Sequence, residues 1–174
     1  MVQNLIESEA TESEPTRPKR MSIICWSGDL DRVWPVLILA STGAASGLEV
    51  DVFFTFWGLR VLQKNDKRIT GQNWMQKGES IVDHGGTENL NLSKMHFAGM
   101  GTWMIKRLAK EYKVASPTEL LELCKDLGVR LHPCQMTMEL YGLTKDDFVD
   151  GLQPPLGAAS YIDMAAESDI TLFI

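Results

Sequence analysis

Residues 21–56 read MSIICWSGDLDRVWPVLILASTGAASGLEVDVFFTF, and this stretch decides the fold class. Its first six residues form a β-rich apolar run that ends at the turn Ser27-Gly28-Asp29, where Asp29 is a candidate N-cap. Apolar side chains then recur at helical spacing from Leu30 to Ser46, and Gly47 is placed to end that helix. The second apolar run, residues 49–56, suits a strand that is covered on both faces. The stretch therefore predicts a strand, a helix and a second strand.

The remainder of the chain continues this alternation. Ser116, Pro117 and Glu119 carry the signature of a capped helix, which ends before Gly128. A short apolar strand pattern follows at 129–131, and a helical segment at 160–167 precedes a last apolar strand at 169–174. Because strands alternate with helices, the sequence predicts a single α/β domain, a three-layer sandwich with a mainly parallel sheet and right-handed crossovers.

Two segments differ in composition from this pattern. Residues 1–20 are rich in Glu, Ser, Thr and Pro and are predicted to be a disordered tail, so the α/β domain is assigned to 21–174. Residues 65–91 are polar, contain four glycines and show no sustained period. Because this segment is too long for an ordinary connection, we expect an insertion or mobile excursion, with partial local structure as an open alternative.

Composition excludes several classes of function. The 174 residues suit one domain, and 17 Lys and Arg against 23 Asp and Glu give a formal net charge of −6. No broad nucleic-acid surface is expected at that charge. The sequence contains no apolar stretch long enough to span a membrane. Three cysteines without close pairing do not make a disulfide framework, so a reducing, cytoplasmic location is expected.

The strongest chemical candidate is Cys134, in the run VRLHPCQM at 129–136. Proline does not extend a strand ladder, so we expect the chain to switch state at Pro133 and to place Cys134 in the first helical turn. Unpaired N–H groups at a helix N-terminus lower a thiol pKa and favour the nucleophilic thiolate. The alternative that remains open is a buried cysteine that acts as a small hydrophobic side chain.

A binding pocket is expected around this cysteine. In open α/β sheets ligands gather at the carboxyl ends of parallel strands, where several of the candidates fall. His132 lies two residues before Cys134 and is a weaker catalytic candidate, because the two side chains share a face if the strand continues that far. The predicted pocket consists of Ser27, Gly28, Phe56, Trp57, His96, Gly99 and Gly101.

Other chemistries lack their motifs. The Ser27-Gly28-Asp29 turn does not have the glycine spacing of a dinucleotide site, and neither a Walker loop nor a Gly-x-Ser-x-Gly elbow occurs. His96, His132 and Cys134 do not have the spacing of metal ligands, so no metal and no cofactor is expected. Cys25 and Cys124 fall on apolar faces and are expected to be core residues. There is no Cys-x-x-Cys pair for disulfide exchange.

Three segments together resemble the DsrE/DsrF-like family, close to its subgroup of sulfur carriers that is sometimes labelled peroxiredoxin-like. They are IICWSGDLDR at 23–32, VFFTFWGL at 52–59 and CQMTM at 134–138. The resemblance covers nearly everything from residue 21 onward. It implies a sheet of about five strands, frequent homo-oligomers, and a persulfide or thiosulfonate carried on the cysteine that Cys134 matches.

The function expected from this resemblance is that of a sulfur carrier or sulfurtransferase. Cys134 would accept sulfane sulfur from a donor protein or a small sulfane-sulfur compound and pass it to a partner thiol. Two alternatives stay open: a non-catalytic interaction or scaffold protein of the same fold, and a thiol peroxidase. The second lacks a Thr-x-x-Cys-like run and a clear resolving cysteine.

Overall fold

The computed structural model describes residues 17–66, 69–82, 84–95 and 97–174. Its sheet has the strands β1 (Arg20–Cys25), β2 (Glu49–Phe54), β3 (Arg130–Pro133) and β4 (Ile170–Phe173) in the order β3-β2-β1-β4. All three neighbouring pairs are parallel. The predicted α/β class with a parallel sheet is confirmed. In the part of the chain that the structure describes this sheet has four strands, whereas the family resemblance implied about five.

Among the described residues, six α-helices connect or flank the strands. They are α1 (Leu30–Ala45), α2 (Trp74–Val82), α3 (Met100–Glu111), α4 (Pro117–Asp126), α5 (Gln135–Tyr141) and α6 (Ala158–Ala166). Short 3₁₀ segments occur at Phe56–Leu62, Thr87–Asn89, Phe97–Gly99 and Lys145–Asp147. The helix predicted from Leu30 to Ser46 is α1, and Gly47 follows it with a φ of 85°, the left-handed conformation that commonly ends helices.

The two faces of the sheet carry different cores. Ile23, Val52 and Leu131 lie in the larger core, to which α1 and α4 contribute apolar side chains such as Leu37 and Leu121. Residues of the alternate parity point to the other face, where α6 packs. Side chains of β2 are buried on both faces from Val50 to Phe54, as its continuous apolar run predicts.

The segment predicted as a polar excursion, 65–91, contains α2 and the 3₁₀ turn Thr87–Asn89 within its described parts. Gln76 of α2 donates from Nε2 to the carbonyl of Leu140 at 3.0 Å, so α2 lies beside the end of α5. The predicted disordered tail lies outside the described residues as far as residue 16. Arg17 forms an ion pair with Asp169 at 3.3 Å, and Arg20 opens β1.

The capping signature at Ser116 is confirmed. The Ser116 hydroxyl accepts a hydrogen bond from the Glu119 N–H at 3.3 Å, and the Glu119 carboxylate accepts one from the Ser116 N–H at 2.7 Å. Pro117 occupies the first turn of α4. These reciprocal bonds satisfy amide donors that the helix itself leaves unpaired.

Ser116→Ala is therefore expected to lower the free energy of unfolding by about 1 kcal/mol, because it removes the N-cap acceptor of α4. Urea denaturation measures the change. Ser160→Ala is the matched control, since Ser160 is exposed on α6 and caps no helix. Equal unfolding free energies for the two variants would contradict the capping assignment.

Candidate functional site

Cys134 is held by backbone bonds on both sides. Its N–H donates to the Phe54 carbonyl at 2.9 Å, and its carbonyl accepts from the Met138 N–H at 3.0 Å. Its φ and ψ of −73° and 118° are extended, so Cys134 is the N-cap of α5 rather than a residue of the first helical turn. The thiol thus stands at the carboxyl end of β3, where parallel sheets place their ligands.

The prediction that the strand stops before Pro133 is wrong. Pro133 is the last residue of β3 and pairs in register with Phe54. A proline fits here because β3 is an edge strand of the sheet, and the donor to the Phe54 carbonyl is the next amide, that of Cys134. The Pro133 carbonyl accepts from the Leu156 N–H at 2.9 Å, so the outer edge is partly covered by the chain before α6.

The Cys134 side chain is 3% exposed. It packs with Phe53 and Tyr161, whose rings stack with their centroids 4.8 Å apart and their planes at 17°. Leu156 adjoins this cluster and is partly buried. The thiol therefore lies beneath an aromatic and aliphatic cover on the α6 face of the sheet.

A buried charge network lies on the same face. Asp51 is 1% exposed, and its carboxylate accepts two hydrogen bonds from Arg130, both at 2.7 Å. His132 Nε2 lies 2.8 Å from Asp51 Oδ1. Burial alone would raise the pKa of Asp51, but the hydrogen bonds from Arg130 and His132 outweigh it and lower that pKa to about 2. The same contacts raise the pKa of Arg130.

His132 and Cys134 share a face of the sheet, because β3 continues through Pro133. Two residues of strand separate them by about 6.6 Å along the chain. Among the hydrogen bonds of the described residues, His132 is joined to Asp51, and none links it to the Cys134 sulfur. The structure thus shows His132 bound to a carboxylate and, within its described residues, shows no hydrogen bond that would make it the base of the Cys134 thiol.

Phe56 and Trp57 lie next to α5. The Phe56 N–H donates to Thr137 Oγ1 at 3.1 Å, which ties the chain after β2 to the first turn of that helix. Phe56 meets Trp57 edge-on, at 5.2 Å between ring centroids, and Tyr141 lies 6.0 Å from Trp57. The Arg60 guanidinium lies 5.1 Å from the centroid of the Tyr141 ring. These aromatic side chains therefore form one group with the helix that Cys134 caps.

A cavity of about 490 Å³ opens at the carboxyl ends of β1 and β2. Of the predicted pocket residues, Ser27, Gly28 and Trp57 line it, and Cys134 does not. The remaining lining residues are Trp26, Asp29, Arg60, His84, Gly85, Asn89, Leu90 and Asn91. A cavity thus lies at these strand ends, and Cys134 is not in its wall.

Glycine is required where the two strand-end loops approach each other. A Cβ on Gly28 would lie 2.9 Å from the Trp57 carbonyl oxygen, and a Cβ on Gly58 would overlap the Cys25 carbonyl. The Gly58 N–H donates to the Trp26 carbonyl at 3.0 Å. The loops after β1 and β2 are therefore in direct backbone contact with each other. This contact sets the position of Trp57.

Phe56, Gly99 and Gly101 of the predicted pocket do not line the cavity. His96 lies outside the described residues. Gly99 is the N-cap of α3 with a φ of 92°, and Gly101 lies in its first turn, where a Cβ would overlap the Met95 carbonyl. Neither glycine lines the space beside Ser27.

The other two cysteines are core residues, as predicted. Cys25 and Cys124 are fully buried, and no cysteine of the described chain forms a disulfide. Burial raises the pKa of the Cys25 thiol to about 12 and that of Cys124 to about 11. Both thiols are therefore protonated and unreactive at neutral pH. No three His, Cys, Asp or Glu side chains in the described ranges are grouped to hold a metal ion.

Sequence reasoning missed the network around Asp51. The sequence does contain a signal for this network, because Asp51 is a charged residue inside the apolar run 49–56 that predicts a buried strand. A buried carboxylate requires partners, and the partners here, Arg130 and His132, come from β3. Only the pairing of β2 with β3 brings them together.

Comparison with known proteins identifies similar chains over most of this length. A family model described as the DsrE/DsrF/DrsH-like family matches residues 17–173. Sulfur carrier protein DsrE2 of Allochromatium vinosum is 42% identical over 159 residues, which cover 90% of this chain and 98% of that protein. Uncharacterized protein YrkE of Bacillus subtilis is 36% identical over 156 residues, which cover 90% and 97%.

Two solved structures share the fold at low identity. The ychN protein from E. coli superposes with a TM-score of 0.55 at 11% identity, and the match covers 90% of this chain and 99% of that one. The protein of unknown function MTH1491 from Methanobacterium thermoautotrophicum gives a TM-score of 0.54 at 12% identity, with the same coverage. Within the described ranges no helix has the length and apolar character that crossing a bilayer requires.

Proposed function

Because the chain belongs to the DsrE/DsrF/DrsH-like family, we propose that it is a sulfur carrier that accepts sulfane sulfur on Cys134 and passes it to a partner thiol. A sulfur-related role is supported by the family and by the sulfur carrier that is 42% identical to this chain. The observation that carries the assignment to Cys134 is its position, since it caps α5 at the carboxyl end of β3 while the other two thiols are core residues with raised pKa values.

The loading step needs no oxidant other than the sulfane donor itself. The Cys134 thiolate attacks a sulfane sulfur, and an Sγ–S bond forms as the bond from that sulfur to its leaving group breaks. The electron pair departs with the leaving group, which is a shorter polysulfide anion, or thiosulfate when tetrathionate is the donor. The product on Cys134 is a persulfide in the first case and a thiosulfonate in the second.

The unloading step regenerates the carrier. A thiolate of the acceptor attacks the outer sulfur of the Cys134 persulfide, forms a bond to it, and displaces the Cys134 thiolate as the leaving group. The acceptor becomes the persulfide. In this proposal the partial positive charge at the N-terminus of α5, which Cys134 caps, favours the anion in both steps.

Burial of Cys134 sets a condition on the donor. At 3% exposure the sulfur is reached only when the cover that includes Tyr161 and Leu156 is displaced. A small sulfane reagent needs a smaller displacement of this cover than a bulky one does. The proposal therefore favours polysulfide, tetrathionate or a protein persulfide on a slender, protruding segment as the donor.

The same burial favours the second candidate, a non-catalytic scaffold protein of this fold. In that function Cys134 is a core residue of the smaller cluster with Phe53 and Tyr161. The two functions differ in one measurable property, because a scaffold gives no selective sulfur loading in the folded state. A thiol peroxidase, in contrast, would consume peroxide faster than a free thiol does.

The proposal also includes a homo-oligomer in the cytoplasm. The oligomer is supported by the edge strand β4, where Phe173 is 68% exposed, and by Ile162 on the adjoining helix α6, which is 63% exposed. Large apolar side chains exposed together commonly mark an interface. The reducing compartment is supported by three cysteines that remain free thiols.

Peptide mapping of the wild-type protein tests the function, because its three cysteines compete within one molecule. After incubation with tetrathionate or polysulfide and then alkylation, mass spectrometry is expected to find sulfur adducts on the Cys134 peptide and none on the peptides of Cys25 and Cys124. The same reaction in urea is the control, since unfolding exposes all three thiols. Equal labelling of the three in the folded protein, or none, would refute the proposal.

A further inference from the structure

Helix α3 and the turn before it carry a row of apolar side chains that the other described residues leave exposed. Within α3 only Gly101 and Thr102 are buried. The exposed side chains, here called the α3 ridge, are Met95 (62%), Phe97 (67%), Met100 (65%), Trp103 (65%), Met104 (48%) and Leu108 (48%). Met100, Trp103, Met104 and Leu108 follow the spacing of one helix face. Exposing a continuous row of large apolar side chains to water is unfavourable, so the row indicates a binding surface.

The charge around the ridge is opposite to that of the chain. Between Lys94 and Lys113 the sequence has five basic residues and one acidic residue, whereas the whole chain has a net charge of −6. The basic residues are Lys94, Lys106, Arg107, Lys110 and Lys113. Lys106 donates to the Glu88 carbonyl at 2.9 Å, and the groove beside α3 is lined by Lys106, Lys110 and Lys113 together with Glu88, Glu119, Glu122 and Asp126. The basic residues therefore lie on α3 and near its two ends, and Lys94 and Arg107 are outside that groove.

From these observations we propose that the α3 ridge binds the surface of an anionic lipid bilayer. The apolar side chains would enter the boundary between headgroups and acyl chains while the basic residues contact anionic headgroups. Tryptophan favours this depth of the membrane. At about 1.5 Å per residue, the twelve residues of α3 span about 18 Å, too short to cross the bilayer, so the helix lies in the plane of the surface.

Composition favours lipid over a protein partner or a second copy. Cores of protein interfaces are enriched in aromatic residues, Met and Arg but are depleted in Lys. Four of the five cations here are lysines, whose long side chains can keep the charge at the headgroups while their stems lie beside the apolar row. This inference does not rest on sulfur chemistry at Cys134.

Flotation with vesicles of phosphatidylcholine, with or without phosphatidylglycerol, tests the inference on the full chain. Wild type is expected to float only with the anionic vesicles and to be released by salt. Met100→Ser combined with Trp103→Ser is expected to weaken binding about tenfold or more, because it removes inserted apolar area. Trp74→Ser combined with Met75→Ser is the control, since Trp74 (80%) and Met75 (60%) are comparably exposed on α2, outside the ridge.

A second variant addresses charge alone. Arg107→Glu combined with Lys110→Glu is expected to weaken binding to anionic vesicles at least about tenfold. The variant leaves the apolar side chains of the ridge unchanged. Circular dichroism and urea unfolding establish that each variant is folded. Two outcomes overturn the proposal: equal flotation with neutral and anionic vesicles, or no flotation. If the Met100 and Trp103 variant instead dissociates an oligomer in light scattering while wild type ignores vesicles, the ridge joins two copies of the chain.

Discussion

Cys134→Ser is expected to abolish catalysed sulfur transfer from polysulfide to an acceptor thiol. The hydroxyl of serine is not a nucleophile towards sulfane sulfur at neutral pH, so no persulfide forms at that position. The rate of acceptor persulfidation with the variant should equal the rate without protein. A coupled assay that follows acceptor persulfide over time measures the loss.

Cys124→Ala is the matched control for this variant. Cys124 is fully buried, and its thiol donates to the Leu37 carbonyl at 3.6 Å, so the change costs stability but leaves Cys134 in place. Transfer should persist at the wild-type rate in the folded protein. A serine hydroxyl beside Phe53 and Tyr161 can itself be unsatisfied, at a cost of about 1–3 kcal/mol, so Cys134→Ala is measured as well. Transfer by either Cys134 variant would exclude the carrier mechanism.

Asp51→Asn is expected to lower the free energy of unfolding on the order of 3 kcal/mol at neutral pH. The variant keeps the shape of the side chain but leaves Arg130 and His132 without the carboxylate that they share. Removing one partner of a buried pair costs about 3–5 kcal/mol, and the lower end applies because the Arg130 side chain is 40% exposed. Asp163→Asn, at an exposed site on α6, should leave the stability unchanged.

The same variant should also change how stability depends on pH. The pKa of Asp51 is lowered from 3.8 to about 2 in the folded protein, so folding favours the ionised form. Its stabilising contribution is present above the unfolded pKa and is lost as the pH falls from about 4 towards 2. Wild type should therefore lose more stability than Asp51→Asn across that range.

Urea denaturation at several pH values between about 2 and 7 measures the difference between the two proteins. The comparison isolates Asp51, because Asp31, Glu119 and Asp169, whose pKa values are also lowered, are present in both. Parallel stability curves for wild type and Asp51→Asn would contradict the network as the structure shows it.

The class of fold was predictable because local patterns and tertiary packing agree along most of the chain. The continuous apolar run 49–56 predicts a strand covered on both faces, and β2 is buried on both. Ser116 and Glu119 predict the start of a helix, and both side chains cap α4. These signals act over a few residues, so the sequence shows them directly.

The details around Cys134 depended on neighbours that are distant in sequence. Pro133 could be the last residue of β3 because that strand is at the edge of the sheet, and strand order is a tertiary property. The cover on Cys134 comes from Tyr161 and Leu156, more than twenty residues later in the chain. For the same reason the cavity beside Ser27 and Gly28 could be anticipated, whereas its separation from Cys134 could not.

Residue type and short-range spacing are enough to predict the alternation of strands and helices, the side-chain cap of α4, and the candidate thiol after β3. Tertiary structure alone decided that Arg130 and His132 meet Asp51, that Cys134 is buried, and that the α3 ridge is uncovered. Burial and charge pairing are properties of residues that meet in space, and strand pairing and helix packing decide which residues meet.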